Sequence, residues 1–253
     1  YFVGNELNGS TGKEVMGMGV MVHELGHALG LPDFYDPTYS YRNDSPMGSW
    51  SVMDTGPYAR GSYAPVGYNA YERSYMGWLK IPELNEAASV SLTDVNDAEG
   101  DFAVLYRNPS NANEYYIMEN RQAGTWYPKE FGTGLLVTRF AYDRAKWSSN
   151  AANVVQNKKR AMVVTAGGRA LGNDAKPADL FGNGVNNIIS FNWLEGGSTT
   201  DAPIYKILKT SDGIVTFNFK DRDLAPAYIA DNGEPFVRVD DVSTLAPLSL
   251  IHI

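Results

Sequence analysis

Residues 21–36 read MVHELGHALGLPDFYD and contain a His-Glu-x-x-His pattern. Two of the three histidines of the chain, His23 and His27, lie in this pattern, four residues apart. On a helix this spacing brings both side chains to one face, with Cβ atoms roughly 5–6 Å apart. Two imidazoles at that separation suit one zinc ion, and Glu24 can take a proton from a water bound to it. The stretch therefore predicts a metal site on a helix.

The residues around this pattern predict a buried helix. Thr11 and Glu14 have the spacing of a capping box at its start. The run from residue 14 to residue 29 is apolar nearly all round, which favours burial over a surface helix that merely carries two histidines. Gly30 stands where a helix C-cap glycine belongs, and Pro32 prevents the helix from continuing.

Asp33 is the candidate for a third ligand. It follows His27 by six residues, and the turn at Gly30 and Pro32 can bring its carboxylate back toward the histidines. A carboxylate is an ordinary zinc ligand. On the residues alone, an aspartate that only stabilises the turn after a proline is an equally good interpretation.

The pattern formed by His23, Glu24, His27, Gly30 and Asp33 resembles that of the metzincins, with aspartate in place of the usual third histidine. The longer string HELGHALGLPDFYD resembles the immune inhibitor A family of secreted metallopeptidases, the M6 peptidases. Further stretches are similar to that family: GSWSVMDTG at 48–56, PVGYNAYERSYMGWL at 65–79, EYYIMENRQ at 114–122 and GTGLLVTRF at 132–140.

This resemblance implies a set of roles. Zinc is held by His23, His27 and Asp33, and Glu24 is the general base. Met53 lies in the Met-turn and forms an apolar floor beneath the metal; packing in the core is the simpler account of the same residue. Tyr58 is a candidate for stabilising the oxyanion, although an exposed tyrosine in a Tyr-rich loop is the plainer interpretation.

A rival scheme replaces Asp33 as third ligand. In gluzincin-type enzymes the third ligand is a glutamate on a second helix well downstream of the histidines. Glu72 lies in such a setting, because residues 65–80 have helical spacing, with Tyr68, Tyr71, Tyr75 and Trp78 on one side. A glutamate on a helix surface is the simplest account of Glu72.

The resemblance also raises the question of an N-terminal part. In metzincin-like enzymes the zinc helix packs under an N-terminal sheet, and only YFVGNEL precedes the helical region here. The chain starts at Tyr1 rather than at methionine. We therefore expect the N-terminal half of the catalytic domain to be absent, as a missing segment or a separate chain. The family resemblance implies a secreted or cell-envelope protein.

Composition limits the partners. The 253 residues carry a net charge of −8 and no cysteine, which argues against a nucleic-acid partner and excludes disulfides and thiolate metal sites. No apolar run approaches the ~18 residues of a membrane span. Calcium is a weak candidate at two clusters of oxygen ligands, in loops that are otherwise explained as solvated turns. These are Asp36, Asn43 and Asp44, and Asp174, Asp179, Asn183 and Asn186.

Beyond Pro82 the sequence changes to short β-type runs between turn signals. They are ASVSL, FAVLY, EYYIMEN, GLLVTRF, AMVVTA, NIISFNW, IYKILK and IVTFNF, and residues 211–213 between the last two read as a tight hairpin turn. We predict an α+β fold with residues 1–84 as the zincin-type part and 85–253 as an antiparallel, sandwich-like region, either separate from the catalytic unit or integral to it. For residues 222–253 we expect a docked terminal strand, with His252 unrelated to the metal.

The function predicted from the sequence is that of a zinc-dependent endopeptidase acting on polypeptide substrates. The alternative is a non-catalytic fragment or a β-rich binding module of an exported protein, with a structural or empty metal site.

Overall fold

The described part of this computed structural model contains three short α-helices, four 3₁₀ helices and thirteen strands. It describes residues 6–8, 11–40, 45–97 and 100–225, and the backbone of 227–229 and 235–237. The α-helices are α1 (Gly19–Ala28), α2 (Ala70–Tyr75) and α3 (Arg144–Ser148). The strands are β1 (Leu7–Asn8), β2 (Glu14–Val15), β3 (Ala88–Leu92), β4 (Ala103–Asn108), β5 (Asn111–Arg121), β6 (Gly134–Ala141), β7 (Ala161–Val164), β8 (Phe191–Trp193), β9 (Gly197–Thr199), β10 (Ile204–Lys209), β11 (Val215–Phe219), β12 (Ala227–Ile229) and β13 (Pro235–Val237).

Antiparallel pairing organises the strands. The largest sheet has the order β4-β5-β6-β7, and a second sheet has the order β10-β11-β3. β1-β2, β8-β9 and β12-β13 form separate two-stranded sheets. All eight β-type runs contribute a strand, and residues 211–213 join β10 to its antiparallel partner β11, as predicted. The expectation of an α+β fold with antiparallel sheets is therefore confirmed.

The four-stranded sheet lies between two hydrophobic clusters because its side chains alternate between the faces. One face contributes Tyr116, Met118 and Val137 to a cluster shared with β3, β10 and β11. The other face contributes Ile117, Leu136 and Phe140 to a cluster shared with the helical part of the chain. The sheet thus forms the middle layer of the molecule.

One core joins the residues before and after the predicted boundary at 84–85. Phe34, Trp50 and Met53 belong to the same buried cluster as Phe140 of β6. The rings of Tyr71 and Phe140 stack with centroids 3.7 Å apart and planes 8° apart. The β-rich region therefore covers the helical part directly, and the two-part division stays a prediction.

The predicted start of the first helix is wrong. Residues 14–15 form β2, which pairs with β1, and α1 begins only at Gly19, with no side-chain cap at Met18. The two glycines before and at the helix start explain this difference. A Cβ on Gly17 would lie 2.2 Å from the carbonyl oxygen of Ser62, and one on Gly19 would lie 1.9 Å from that of Pro57. The backbone at Gly17 and Gly19 therefore packs directly against residues 57–62, and α1 begins at this contact.

The prediction that α1 is buried all round is also wrong. Only Gly19, His23 and Gly26 are buried, at the spacing of a single helix face. Met21 and Leu25 are 60% and 49% exposed. Within the described residues, therefore, other parts of the chain cover only one side of α1. No helix in those residues is long and apolar enough to cross a membrane.

The second predicted helix is shorter than expected. α2 begins at Ala70, where Asn69 and Glu72 form a capping box, and it ends at Tyr75. Of the four aromatic residues predicted to share one side, Tyr71 alone is fully buried, whereas Trp78 is largely exposed. The predicted docked strand falls mostly on residues outside those that the structure describes, as does His252.

Candidate metal centre

Three side chains converge at the C-terminal half of α1. The Nε2 atoms of His23 and His27 lie 3.1 Å and 3.2 Å from Oδ1 of Asp33. The two imidazole rings are 4.7 Å apart and nearly perpendicular. Within the described ranges, this is the one group of three or more histidine, aspartate or glutamate side chains that could hold a metal ion. The turn after α1 thus brings Asp33 to the histidines as the sequence predicts.

Hydrogen bonds fix both imidazole rings. Nδ1 of His23 lies 2.8 Å from the carbonyl oxygen of Val52, and Nδ1 of His27 lies 2.8 Å from that of Leu31. A carbonyl only accepts, so each Nδ1 carries a proton and each Nε2 faces Asp33; when the ring is neutral, Nε2 presents a lone pair there. Metal-binding histidines are held in the same way, by a hydrogen bond from the ring nitrogen that does not bind the metal.

The two Nε2 atoms and the Asp33 carboxylate need a positive charge among them, supplied by a metal ion or by a proton on an imidazole. Oδ1 of Asp33 is buried, and apart from the two imidazole nitrogens it has no hydrogen-bond partner. Two nitrogen lone pairs and one carboxylate oxygen meeting in a buried place repel one another unless a positive charge lies between them. Two imidazole nitrogens and one carboxylate oxygen form a donor set that zinc accepts with an open position remaining. The residues present therefore fit a zinc ion.

The pKa shifts of His27 and Asp33 indicate how charge is compensated among these side chains when no metal is bound. Asp33 raises the pKa of His27 through a hydrogen bond, against the opposing effect of burial. Burial by itself raises the pKa of Asp33, but hydrogen bonds with His23, His27 and Asn150 outweigh it and hold that pKa well below its usual range. A proton on His27 is thus the alternative to a metal ion, and metal uptake would release it.

Glu24 follows His23 on α1 and is half-buried. Its carboxylate is close enough to His27 for its negative charge to raise the pKa of that histidine. It therefore lies at the edge of the cluster without belonging to the ligand set.

Met53 packs against the buried side of α1 at Gly26, which lies between the two histidines in sequence. A Cβ added to Gly26 would lie 2.3 Å from Sδ of Met53, so the glycine makes room for the thioether. The Met53 side chain is fully buried. The role of Met53 as an apolar floor beneath a metal stays a prediction.

Glu72 does not join the histidines. Its Oε1 accepts hydrogen bonds from the Ser51 hydroxyl at 2.5 Å and from the Met53 backbone N–H at 3.2 Å. Its Oε2 accepts from the Asn69 N–H at 2.7 Å, and burial raises its pKa. The carboxylate thus holds the turn that carries Met53, and the structure gives no support to Glu72 as the third ligand.

Tyr58 is 65% exposed. It lines a surface groove with Thr55, Glu130 and Lys176, and the lining of that groove does not include the histidines. The aromatic residue beside the cluster is Tyr35, whose ring stacks at 6.3 Å from that of His23. Burial and the charge of Asp33 raise the pKa of Tyr35. The only signal for Tyr35 in the sequence is its place two residues after Asp33.

Asn150 is the contact that the sequence did not reveal. Its Oδ1 accepts from the backbone N–H of Asp33 at 2.6 Å, and its Nδ2 donates to Oδ2 of Asp33 at 2.7 Å. Three residues later, Nδ2 of Asn153 donates to the carbonyl oxygen of Phe34 at 2.7 Å. The two partners are separated by 117 residues, and no local pattern connects them.

The candidate calcium ligands mostly have partners within the protein. Asp36 accepts from the backbone and hydroxyl of Thr38 through Oδ1. Asp179 forms a two-point ion pair with Arg169, at 2.6 Å and 2.7 Å, and accepts from the Trp50 indole. The side chain of Asn183 bonds to backbone carbonyls and to Lys209. Asn43 and Asp44 lie outside the described residues, and calcium stays an untested prediction.

A pair of histidines on a helix, with an intervening glutamate and a carboxylate as third ligand, is the arrangement of the metal-dependent peptidases. Within that class, residues 11–79 match the model of the immune inhibitor A peptidase M6 catalytic domain. The resemblance to this family is thereby confirmed for that segment, which contains all three candidate ligands.

Curated relatives match this chain over short lengths. "Pre-pro-metalloprotease PrtV" of Vibrio cholerae serotype O1 is 37% identical over 60 residues, which is 23% of this chain and 6% of that protein. "Immune inhibitor A" of Bacillus thuringiensis subsp. alesti is 36% identical over 76 residues, which is 27% of this chain and 11% of that protein. The chain thus covers a small part of each relative. No solved structure matches it significantly.

Proposed function

We propose that this chain carries the metal centre of a zinc-dependent endopeptidase. The observation that carries the proposal is the meeting of the two Nε2 lone pairs with Oδ1 of Asp33, with both Nδ1 atoms tied to backbone carbonyls. The match of residues 11–79 to a peptidase catalytic domain supports the same conclusion.

In the proposed mechanism, His23, His27 and Asp33 would hold the zinc ion. A bound zinc ion would lower the pKa of a coordinated water and polarise the substrate carbonyl. Glu24 would take a proton from the attacking water and would deliver it to the amine nitrogen as the peptide C–N bond breaks. The backbone carbonyls of Val52 and Leu31 keep both imidazoles in the ligand tautomer throughout.

The proposed substrates are polypeptides, and the proposed place of action is outside the cytoplasm. Both rest on the relationship with the M6 peptidases and on the names of the relatives. Fractionation of the producing cells with an antibody against this chain tests the location, and recovery in the cytoplasm alone would contradict it.

The central test is Glu24→Gln. The amide keeps the size of the side chain but cannot accept the proton, so we expect the rate of casein cleavage by zinc-loaded protein to fall roughly 10²–10⁴-fold. Zinc content should be unchanged, because Glu24 is not a ligand. Glu86→Gln is the matched control, since Glu86 is exposed and lies outside the cluster. Full activity of Glu24→Gln would contradict the mechanism.

The non-catalytic alternative is tested on the unmodified chain. Elemental analysis gives the metal content, and casein cleavage with and without a chelator gives the activity. A chain that holds zinc but does not cleave casein would favour a structural metal site, and a zinc-free, inactive chain would favour the binding module.

A further inference from the structure

Both polar atoms of the Asn150 side chain are committed to Asp33. The amide oxygen accepts from the backbone N–H of Asp33, and the amide nitrogen donates to its Oδ2. These two bonds fix the orientation of the amide, because the flipped amide would place donor against donor and acceptor against acceptor. Asn150 therefore holds the residue by its main chain and its side chain together.

The backbone at Asn150 suits asparagine in particular. Its φ is 54°, in the left-handed region, where asparagine is tolerated far better than most residues. It follows the end of α3, and its N–H donates to the carbonyl oxygen of Trp147 at 3.2 Å. Glycine would accept this backbone conformation equally well but would offer no amide.

The segment that carries Asn150 is itself anchored. Asn153 is fully buried, and its Oδ1 accepts from the backbone N–H groups of Arg160 and Ala161. Its Nδ2 bonds to the carbonyl oxygens of Phe34 and Ala161, each at 2.7 Å. The segment 150–153 is thus fastened both to the start of β7 and to the residue after Asp33.

We infer that Asn150 is a positioning residue for the metal centre, which makes Asp33 a ligand through one oxygen only. The amide occupies Oδ2, and Oδ1 stays free to face the two Nε2 atoms. The hydrogen bond from Asn150 Nδ2 also withdraws negative charge from Asp33, and an aspartate ligand carries more negative charge than a third histidine would. This inference rests on the proposed function, because it assumes that the cluster binds zinc.

The test compares zinc affinity in Asn150→Gly and in the parent chain. Glycine keeps the left-handed backbone and removes only the amide. We expect the zinc dissociation constant, measured by competition with a chromophoric chelator, to rise 10–100-fold. Ser149→Ala is the matched control, since Ser149 is exposed and does not contact Asp33; its zinc affinity should equal that of the parent.

A double-mutant cycle separates positioning from a general loss of structure. If Asn150 acts through Asp33, then Asn150→Gly should change zinc affinity far less in an Asp33→Ala background than in the parent. An equal loss in both backgrounds, or an unchanged dissociation constant in Asn150→Gly, would overturn the inference while leaving the proposed function intact. A parent chain that takes up no zinc would overturn both.

Discussion

Three buried carboxylates near α1, those of Asp33, Asp54 and Glu72, differ in their partners and in the direction of their pKa shifts. Asp33 faces two imidazole nitrogens, and hydrogen bonds keep its pKa low despite burial. Glu72 and Asp54 instead accept hydrogen bonds from backbone N–H groups of the turn around Met53, and burial raises the pKa of both. At the scale of single residues, the carboxylate whose pKa is lowered faces the two imidazoles, and the two whose pKa values are raised bind backbone N–H groups.

The titration of Asp54 yields a prediction about pH. Burial raises the pKa of Asp54 to about 7, against 3.8 for an ordinary aspartate. Between those values the folded chain keeps a proton that the unfolded chain has released, so the free energy of unfolding falls as pH rises through this window. Asp54→Asn removes the titration and keeps an oxygen for the Met47 and Gly48 N–H groups.

We expect the metal-free parent to lose about 2–3 kcal/mol more than Asp54→Asn between pH 5 and pH 8. Denaturant unfolding at a series of pH values measures this difference. Parallel stability curves for the two proteins would show that Asp54 is already ionised in the folded chain at pH 5.

At the scale of elements, glycines determine where α1 begins and how closely it packs. Gly19 approaches the backbone of Pro57 so closely that any Cβ would overlap the carbonyl oxygen. The apolar side chains of α1 contribute less to this contact, because Met21 and Leu25 point away from it and are largely exposed. Close backbone approach therefore sets the position of the helix that carries both histidines.

Gly19→Ala should destabilise the fold. In an open helix the substitution gains up to about 1 kcal/mol, but here the added methyl must displace the backbone of Pro57, and overpacking of this kind costs typically 1–3 kcal/mol. Gly172→Ala is the matched control, since a Cβ at that position meets no atom within 4 Å. Thermal unfolding compares the two, and equal midpoints would contradict the close contact.

Local sequence patterns are enough to predict the eight main strands and the shared helix face of His23 and His27. Alternation and i, i+4 spacing are properties of neighbouring residues. The start of α1 was mispredicted because a T-x-x-E pattern can also stand in a turn before a short strand. Its exposure could not be predicted, since burial depends on which other elements cover a face. Asp33 was within reach of sequence reasoning, being six residues from His27, but Asn150 was not.

At the scale of the whole molecule, the four-stranded sheet holds the parts together. One of its faces packs on the residues around the metal centre, and the other packs on the second sheet. The eight β-type runs of the sequence predict eight of the thirteen described strands, but they do not predict this order of layers. β3 pairs with β11, more than a hundred residues later, and no local signal specifies such a partner.

This shared core predicts a single unfolding transition. If residues 1–84 and 85–253 were independent domains, they would unfold separately; because one core crosses the boundary, we expect them to unfold together. Calorimetry should give one heat-absorption peak with equal calorimetric and van't Hoff enthalpies. Two resolved peaks would support the two-part division instead.

The bond between Asp33 and Asn150 also sets an order of events during synthesis. The two residues are 117 positions apart, and ribosomes add about 5–20 residues per second, so Asn150 emerges roughly 6–23 s after Asp33. The helix with its two histidines and the aspartate can form early, but the amide that directs the aspartate arrives only after β4, β5 and β6 have been made. Completion of the candidate metal centre is thus timed by the synthesis of the sheet that packs against it.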